Sequence, residues 1–357
     1  MTLELTIRKG IYHLSRDARK ALSSKCGQPS YMTTLINHYF TTAAEQLGIS
    51  HVWLGRVLEF RRGNEARRMC GAYTDLDSVP TLRIAGDKVL CATMFRAEDL
   101  PVPNFHEVPS GDFKAARRAV GKIGGLVVVK PAKDTCSGLG VTIGISAHDR
   151  KKFREAFFAA SIHSPSVLIE EYVPGDNYRM LVCRGALLSV VKRVPAFVTA
   201  DGKSTLKGLV EKENERRMAK LLQLPERVLH PVLLPIKPDL GYLAQQGRSL
   251  ADVPPAGELI ECRKECNYSL GGGALEVTGS VHPSLSDMAV RASRAIGIQL
   301  SGVDFICRDI TAEASLSGGK INEINTSPGL LPHYEISNVE QRRDVAVDIL
   351  KAMFVRS

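Results

Sequence analysis

Two acidic residues near the end of the chain stand where acids are costly. Asp304 lies inside the apolar run SGVDFIC and Glu323 inside KINEIN, with Asn325 two positions further on. Alternate residues of a strand project to one side, so Glu323 and Asn325 share a face. Burying unpaired carboxylates is unfavourable, and three oxygen-bearing side chains on neighbouring apolar strands make sense if they hold a hard cation. Magnesium suits the set, because it takes few protein ligands and leaves the rest of its shell to phosphate and water. A structural ion pair is the alternative.

A second candidate is Lys130-Pro131, which closes the β-branched run LVVVK and leads into the loop DTCSGLGV, Asp134 to Val141. Ser137, Gly138 and Gly140 would let backbone amides surround phosphate oxygens while Lys130 supplies a point charge. A glycine hairpin between two strands would read the same way. A third is IEEYVPGDN, Ile169 to Asn177, where an extended linker offers backbone groups to an adenine and Asp176 or Asn177 offers a side-chain acceptor to a ribose. Two phosphate motifs fail. Gly202-Lys203-Ser204 lacks the glycine of a P-loop, since that position is Phe197, and Gly138-Leu139-Gly140 lacks the third glycine of a dinucleotide fold.

These residues need strands and helices to carry them. Thr33 to Leu47 has helical spacing, Arg56 to Arg68 is basic, and short strand-like pieces follow; residues 1–85 read as a separate N-terminal domain. A helix after Asp87-Lys88 stops at Pro101 and Pro103. From Gly125 strand and helix alternate: strands at Leu126 to Lys130, Val141 to Ile145 and Ser166 to Val173, and a helix between Ser146 and Ser161. RMLVC and ALLSVVKRV pair through an Arg184-Gly185 turn. A helix is expected from Ser204, another over Ser284 to Ile296, and a closing one from Val339 to Val355.

Composition narrows the class. A chain of 357 residues with 44% hydrophobic and 24% charged residues is a globular protein of two or three subdomains. It has no apolar run of membrane-spanning length and no signal-like N-terminus, which points to a cytoplasmic protein without a membrane partner. Its eight cysteines are scattered, so free thiols are expected, and Cys262 and Cys266 have no second pair to complete a zinc site. The net charge of +9 suits a polyanionic small molecule; no basic stretch is interleaved with aromatics, so nucleic acid is not the expected partner.

Taken in order, Lys88, Lys130, the glycine loop, IEEYVPG, GVDFI and INEINTSPG resemble the ATP-grasp superfamily, with the nearest likeness to the ATP-grasp region of cyanophycin synthetases. The likeness runs from about Lys88 to His333 and includes RVPAFVTADGKST, NYSLGGGA and VHPS. It implies an α+β ATP-grasp fold in which two β-rich subdomains grip ATP, with residues 86–357 as the ATP-grasp domain and 105–172 as its lid. Lys88, Lys130, Ser137, Gly138 and Gly140 would meet the phosphates, Glu170, Glu171 and Val173 the adenine, and Asp176 or Asn177 the ribose. Asp304, Glu323 and Asn325 would hold Mg2+. Arg179 and Arg193 would steady the transferred phosphate and the oxyanion, and His333 would lie near the acceptor.

Two departures qualify the resemblance. Val303 stands where D-alanine-D-alanine ligases carry an arginine, which disfavours that substrate pair, and the Mur-ligase-like domain of cyanophycin synthetases is not found after the closing helix. The implied activity is an ADP-forming carboxylate-amine ligase that activates a carboxylate as an acyl phosphate and joins it to the amine of an amino acid or peptide. A thiol or alcohol acceptor, or a non-catalytic nucleotide-binding module, are the competing readings. A homodimer is the assembly implied.

Overall fold

The computed structural model describes residues 31–132, 140–222, 235–266 and 270–355. Ser137 and Gly138, the loop tip between them and Lys130, and residues 267–269 lie outside that set.

Helix α1 (Tyr31–Gln46) buries Ile36, Phe40, Ala43 and Ala44, the three-and-four spacing of one helix face. It packs on an antiparallel meander of β1 (Ser50–Leu54), β2 (Val57–Arg62), β3 (Glu65–Cys70) and β4 (Tyr73–Thr74), and on the C-terminal helix Val345–Met353. The basic stretch from Arg56 to Arg68 is therefore the β2–β3 hairpin. Arg62 and Arg67 donate to the carbonyls of Phe354 and Met353, capping that helix's C-terminal end, where orphan carbonyls need donors. Arg61 and Arg68 neutralise the buried Glu59. This N-terminal segment shares one core with Leu181, Cys183 and Leu300 of the main sheet.

Two short helices follow, α2 (Val79–Ala85) capped by Ser78 and α3 (Lys88–Ala97) capped by Asp87, which accepts from the amides of Val89 and Leu90. α3 ends before the prolines, because Asp99 turns the chain with φ 52°.

A small antiparallel sheet comes next, built from β5 (Phe105–Pro109), β6 (Leu126–Pro131), β7 (Thr142–Ser146) and β8 (Ser166–Glu171) in the order β5-β8-β6-β7. Helices α4 (Phe113–Ile123) and α5 (Arg150–Ser161) cover one face, with Val127, Val129, Phe153, Phe157, Val167 and Ile169 in a core of their own. Because successive strand residues alternate, Lys130 on β6 and Glu170 on β8 project from the opposite, uncovered face.

The main sheet takes the order β13-β10-β9-β14-β15. β9 (Asp176–Cys183) and β10 (Ala186–Val194) form a hairpin through Arg184 and Gly185, both at positive φ as a two-residue turn requires. After β10 come β11 (Phe197–Thr199), α6 (Leu206–Leu222), α7 (Leu240–Gln245) and β12 (Leu259–Glu261), a satellite with a separate core. There Asp201 accepts from the amides of Lys203 and Ser204, so Gly202-Lys203-Ser204 is a local turn. The chain then runs through β13 (Gly273–Glu276), α8 (Pro283–Ile296), β14 (Leu300–Cys307), α9 (Ala314–Ser317), β15 (Lys320–Thr326), α10 (Leu331–Tyr334) and α11 (Val345–Met353). Tyr178, Met180, Val190, Val303 and Phe305 pack one face of the sheet against α3 and α8. The closing helix is shorter than expected: a 3-10 turn at Val339–Gln341 and an extended Arg342 precede α11. No helix among the described residues is long and apolar enough to cross a membrane. The described cysteines, Cys70, Cys91, Cys183, Cys262, Cys266 and Cys307, are free thiols.

Candidate active site

Alternation along β9 and β14 turns Asn177, Arg179 and Asp304 away from the packed core, onto the other face of the main sheet. Pairing then lines up Arg179, Asp304 and Glu323 as direct neighbours across β9, β14 and β15, with Asn325 opposite Gly302. Arg179 forks onto both oxygens of Asp304, its Nη2 at 3.2 Å from Oδ2, and the Arg193 Nη2 lies 3.0 Å from Oδ1. The amide nitrogen of Asn325 stands 3.3 Å from Asp304 Oδ2 and 3.2 Å from Glu323 Oε1.

Two lysines reach the same place from separate elements. Lys88, the first residue of α3, approaches Glu323 at 3.4 Å, and Lys130, from the small sheet, pairs with Glu170 at 2.7 Å. Burial works against the charge of Lys130, but Glu170, Glu323 and Asp304 outweigh it and raise its pKa above the ordinary value. Burial would likewise push Glu323 up; Lys88, Lys130, Arg179 and the Asn325 amide instead hold it down at about 2. Four cations face three carboxylates, so the site keeps an excess of positive charge suited to a polyanion.

Asp304, Glu323 and Asn325 can offer three oxygens to one cation, two from carboxylates and one from an amide. Their mutual contacts fit a hard ion at that point once the Asn325 amide turns over to present Oδ1.

Between α3, the edge strand β15 and the face of the small sheet turned away from its helices lies a narrow cleft, lined by Lys88, Phe95, Phe105, Leu168, Glu170 and Glu323. The linker from β8 to β9 runs past it. Glu171 there accepts from the Asn104 amide and pairs with Lys320 at 2.7 Å, so its side chain joins the two subdomains and only its backbone is left for a base. Val173 is buried. Gly175 adopts φ 144°, and a Cβ on it would overlap the Cys307 carbonyl, so only glycine fits this linker. Asp176 falls on the packed face, 2.6 Å from Lys192, whereas Asn177 is exposed on the face of Arg179. Of the two ribose candidates, Asn177 has the right side of the sheet. Gly140 packs against the His163 ring.

His333, on α10, is fully buried above β10, with Nδ1 2.8 Å from Ser189 Oγ. Ser189 in turn donates to Glu276 Oε2 at 2.7 Å. Burial, then the charges of Arg179 and Arg193, lower the His333 pKa to about 3 and leave the ring neutral. Ser189 and Glu276 were not legible as site residues; a period of two through Ser189, Val191 and Arg193 was the one available signal. Gly302 was also missed. A Cβ there would stand 2.8 Å from the Arg179 side chain, so the absent side chain is what lets Arg179 cross to Asp304.

No protein-family model matches the chain. It is 31% identical over 305 residues to a cyanophycin synthetase of Crocosphaera subtropica, covering 84% of this chain and 34% of that protein. It is also 31% identical over 294 residues to the glutathione biosynthesis bifunctional protein GshAB of Mannheimia succiniciproducens, covering 80% of this chain and 37% of that protein. A crystal structure of a bifunctional glutathione synthetase from Pasteurella multocida superposes with a TM-score of 0.65 at 26% identity, over 88% of this chain and 44% of that one. The chain thus spans about a third of the length of the curated relatives it matches.

Proposed function

We propose that this chain is a member of the ATP-grasp superfamily of ligases, a reading its likeness to cyanophycin and glutathione synthetases supports, and that it is an ADP-forming enzyme joining a carboxylate to an amine. The observation that carries this reading is the meeting of Lys88 and Lys130, 42 positions apart and on separate elements, around Glu323 and Asp304.

In this reading the triphosphate lies in the cleft, its base against the backbone of 170–173, its ribose by Asn177 and its phosphates between Lys88 and Lys130. Asp304, Glu323 and Asn325 would hold Mg2+, which would supply neutralisation of phosphate charge and orientation of the terminal phosphoryl group. The substrate carboxylate displaces ADP to give an acyl phosphate, and an amine then displaces phosphate. Arg179 and Arg193, paired with Asp304 in the free protein, would turn from it to the charge that builds on the transferred phosphate and on the oxyanion. The small sheet with its private core, residues 105–172, serves as the lid over the body of the 86–357 domain and keeps water from the acyl phosphate.

Relatives named for cyanophycin and glutathione synthesis support an amino acid or peptide as substrate. The free thiols fit a cytoplasmic setting, and a homodimer is the assembly to check by sedimentation. The deciding experiment is release of ADP and phosphate from ATP and Mg2+ across a panel of amino-acid and peptide carboxylates with amine, thiol and alcohol acceptors. Turnover raised by an amine, with a product mass equal to both inputs less water, is expected. Turnover that responds to thiols or alcohols alone would transfer the chemistry to those acceptors.

A further inference from the structure

The chain passes between the body and the small sheet twice, at Asn104 on the way in and after Glu171 on the way out. The two crossings are bonded to each other: the Glu171 amide donates to the Asn104 carbonyl at 2.8 Å, and the Asn104 amide donates to Glu171 Oε2 at 3.1 Å. Both are also held by the first two residues of β15. Lys320 Nζ lies 2.7 and 2.8 Å from the two oxygens of Glu171, and the Ile321 amide donates to the Pro101 carbonyl at 2.8 Å. From there β15 runs on to Glu323 and Asn325. Past the crossing the chain is fixed to the body again, where Gly175 lies against the Cys307 carbonyl.

Two tethers that meet at one point let a rigid sheet turn about that point but not slide away from it. The small sheet has the private core such a unit needs. Glu170 and Glu171 are consecutive on β8, so their side chains leave on opposite sides, the first to Lys130 and the second to Lys320. Whatever holds Glu171 therefore also fixes, one residue away, where the Lys130–Glu170 pair stands relative to Glu323. We infer that Glu171 and Lys320 are positioning residues: their ion pair pins the pivot of the small sheet to the strand that carries Glu323 and Asn325, and so sets where Lys130 meets the phosphates. The phosphate part of this rests on the ligase reading given above, whereas the pivot does not. The competing account is an ordinary rim ion pair. At 25% and 31% exposure of its two side chains it would add little to stability and nothing to turnover.

Lys320→Met removes the cation and keeps the apolar stem, while Lys320→Arg keeps the cation; both are made in the full chain. The first measurement is hydrogen–deuterium exchange without ligand. In Lys320→Met, peptides spanning 100–105 and 170–175 should exchange about fivefold faster or more, α4 and α5 should keep their wild-type rates, and Lys320→Arg should match the wild type. Unchanged exchange at the two crossings overturns the pivot. Faster exchange that spreads through α4 and α5 overturns it too, since the pair would then support the fold of the small sheet rather than its placement. The second measurement is ADP release from ATP and Mg2+ with the carboxylate and acceptor that serve the wild type best. Lys320→Met should lower kcat by about tenfold or more, because Lys130 is displaced from the reacting phosphate. The KM for ATP should move by less than about threefold, since Lys88 and the Gly175 anchor stay with the body, and Lys320→Arg should restore most of kcat. A kcat for Lys320→Met within about twofold of wild type refutes the positioning role. A wild type that neither binds ATP in calorimetry nor releases ADP removes the ligase reading and the phosphate role with it, and the exchange data still decide the pivot.

Discussion

Lys130 and Glu170 are 7% and 9% exposed at their side chains and bonded at 2.7 Å, which makes each the other's means of staying buried. Breaking such a pair by removing one partner typically costs about 3–5 kcal/mol, because a charge is left unpaired in the interior. Lys130→Met should therefore lower stability by about that much and abolish nucleotide binding. Adding Glu170→Gln should recover most of the stability and none of the binding, as read by urea midpoints and by calorimetry with a non-hydrolysable ATP analogue. Glu323 and His333 contribute to the acid behaviour. Both have folded-state pKa values below their ordinary ones, so the folded protein binds fewer protons than the unfolded chain and stability falls as pH drops. The window is 6.5 to about 3 for His333 and 4.5 to about 2 for Glu323. His333→Gln should flatten the limb between pH 6.5 and 4.5, where its contribution reaches about 1.4 kcal/mol per unit, in urea titrations across that range. The acids were legible in the sequence because an acid inside an apolar strand is conspicuous. Ser189 and Glu276 were not, since a serine in a strand and a glutamate at a strand's end are ordinary until the fold brings them to His333.

At the level of elements, the strands that bear the site could be read from their residues, because period two and β-branched runs are local properties. The β9–β10 hairpin is one example, its turn being written in Arg184-Gly185. The closing helix was misjudged for the opposite reason. Its start is set by Tyr334, whose hydroxyl donates to Asp344 and accepts from the Ala346 amide, a contact made across ten residues of chain that no local pattern records. The lysine helix α3 could be placed by its Asp87 cap, yet nothing in its sequence says that its first residue meets Glu323. Strand β14 carries the next prediction. Gly302→Ala puts a carbon 2.8 Å from the Arg179 side chain and 3.0 Å from Pro328, so the guanidinium must move off Asp304. Displacements of an ångström in such sites cost on the order of 10²-fold in rate. That loss in kcat, with a melting temperature close to wild type, is expected from steady-state kinetics and calorimetry.

At the scale of the molecule the apolar interior of the described residues is divided: a core under the main sheet, another shared by the N-terminal segment and α11, another inside the small sheet, another in the satellite, and a small cluster of Val191, Ala274 and Ile336. The small sheet has a core of its own under its two helices and meets the body through its other face, where Leu168, Lys130 and Glu170 are buried, and so can shift as a unit. Nucleotide binding should slow amide exchange in β6, β8 and the first turn of α3 while leaving the β1–β4 meander unchanged, by hydrogen–deuterium exchange. How the pieces face one another was the least readable part of the sequence, since it depends on pairs such as Lys320 with Glu171, 149 positions apart. The double grip of Arg179 and Arg193 on Asp304 has a last consequence, for the order in which reactants arrive. The aspartate already has its counter-charges, and a divalent ion entering alone would have to evict two guanidiniums with nowhere for them to go. A triphosphate arriving with the ion gives them a new anion, so the two exchanges become one event. Mg2+ titrated alone should give little heat, and Mg2+ titrated with ATP should bind in a single cooperative step; tight uptake of the metal by the bare protein would contradict this coupling.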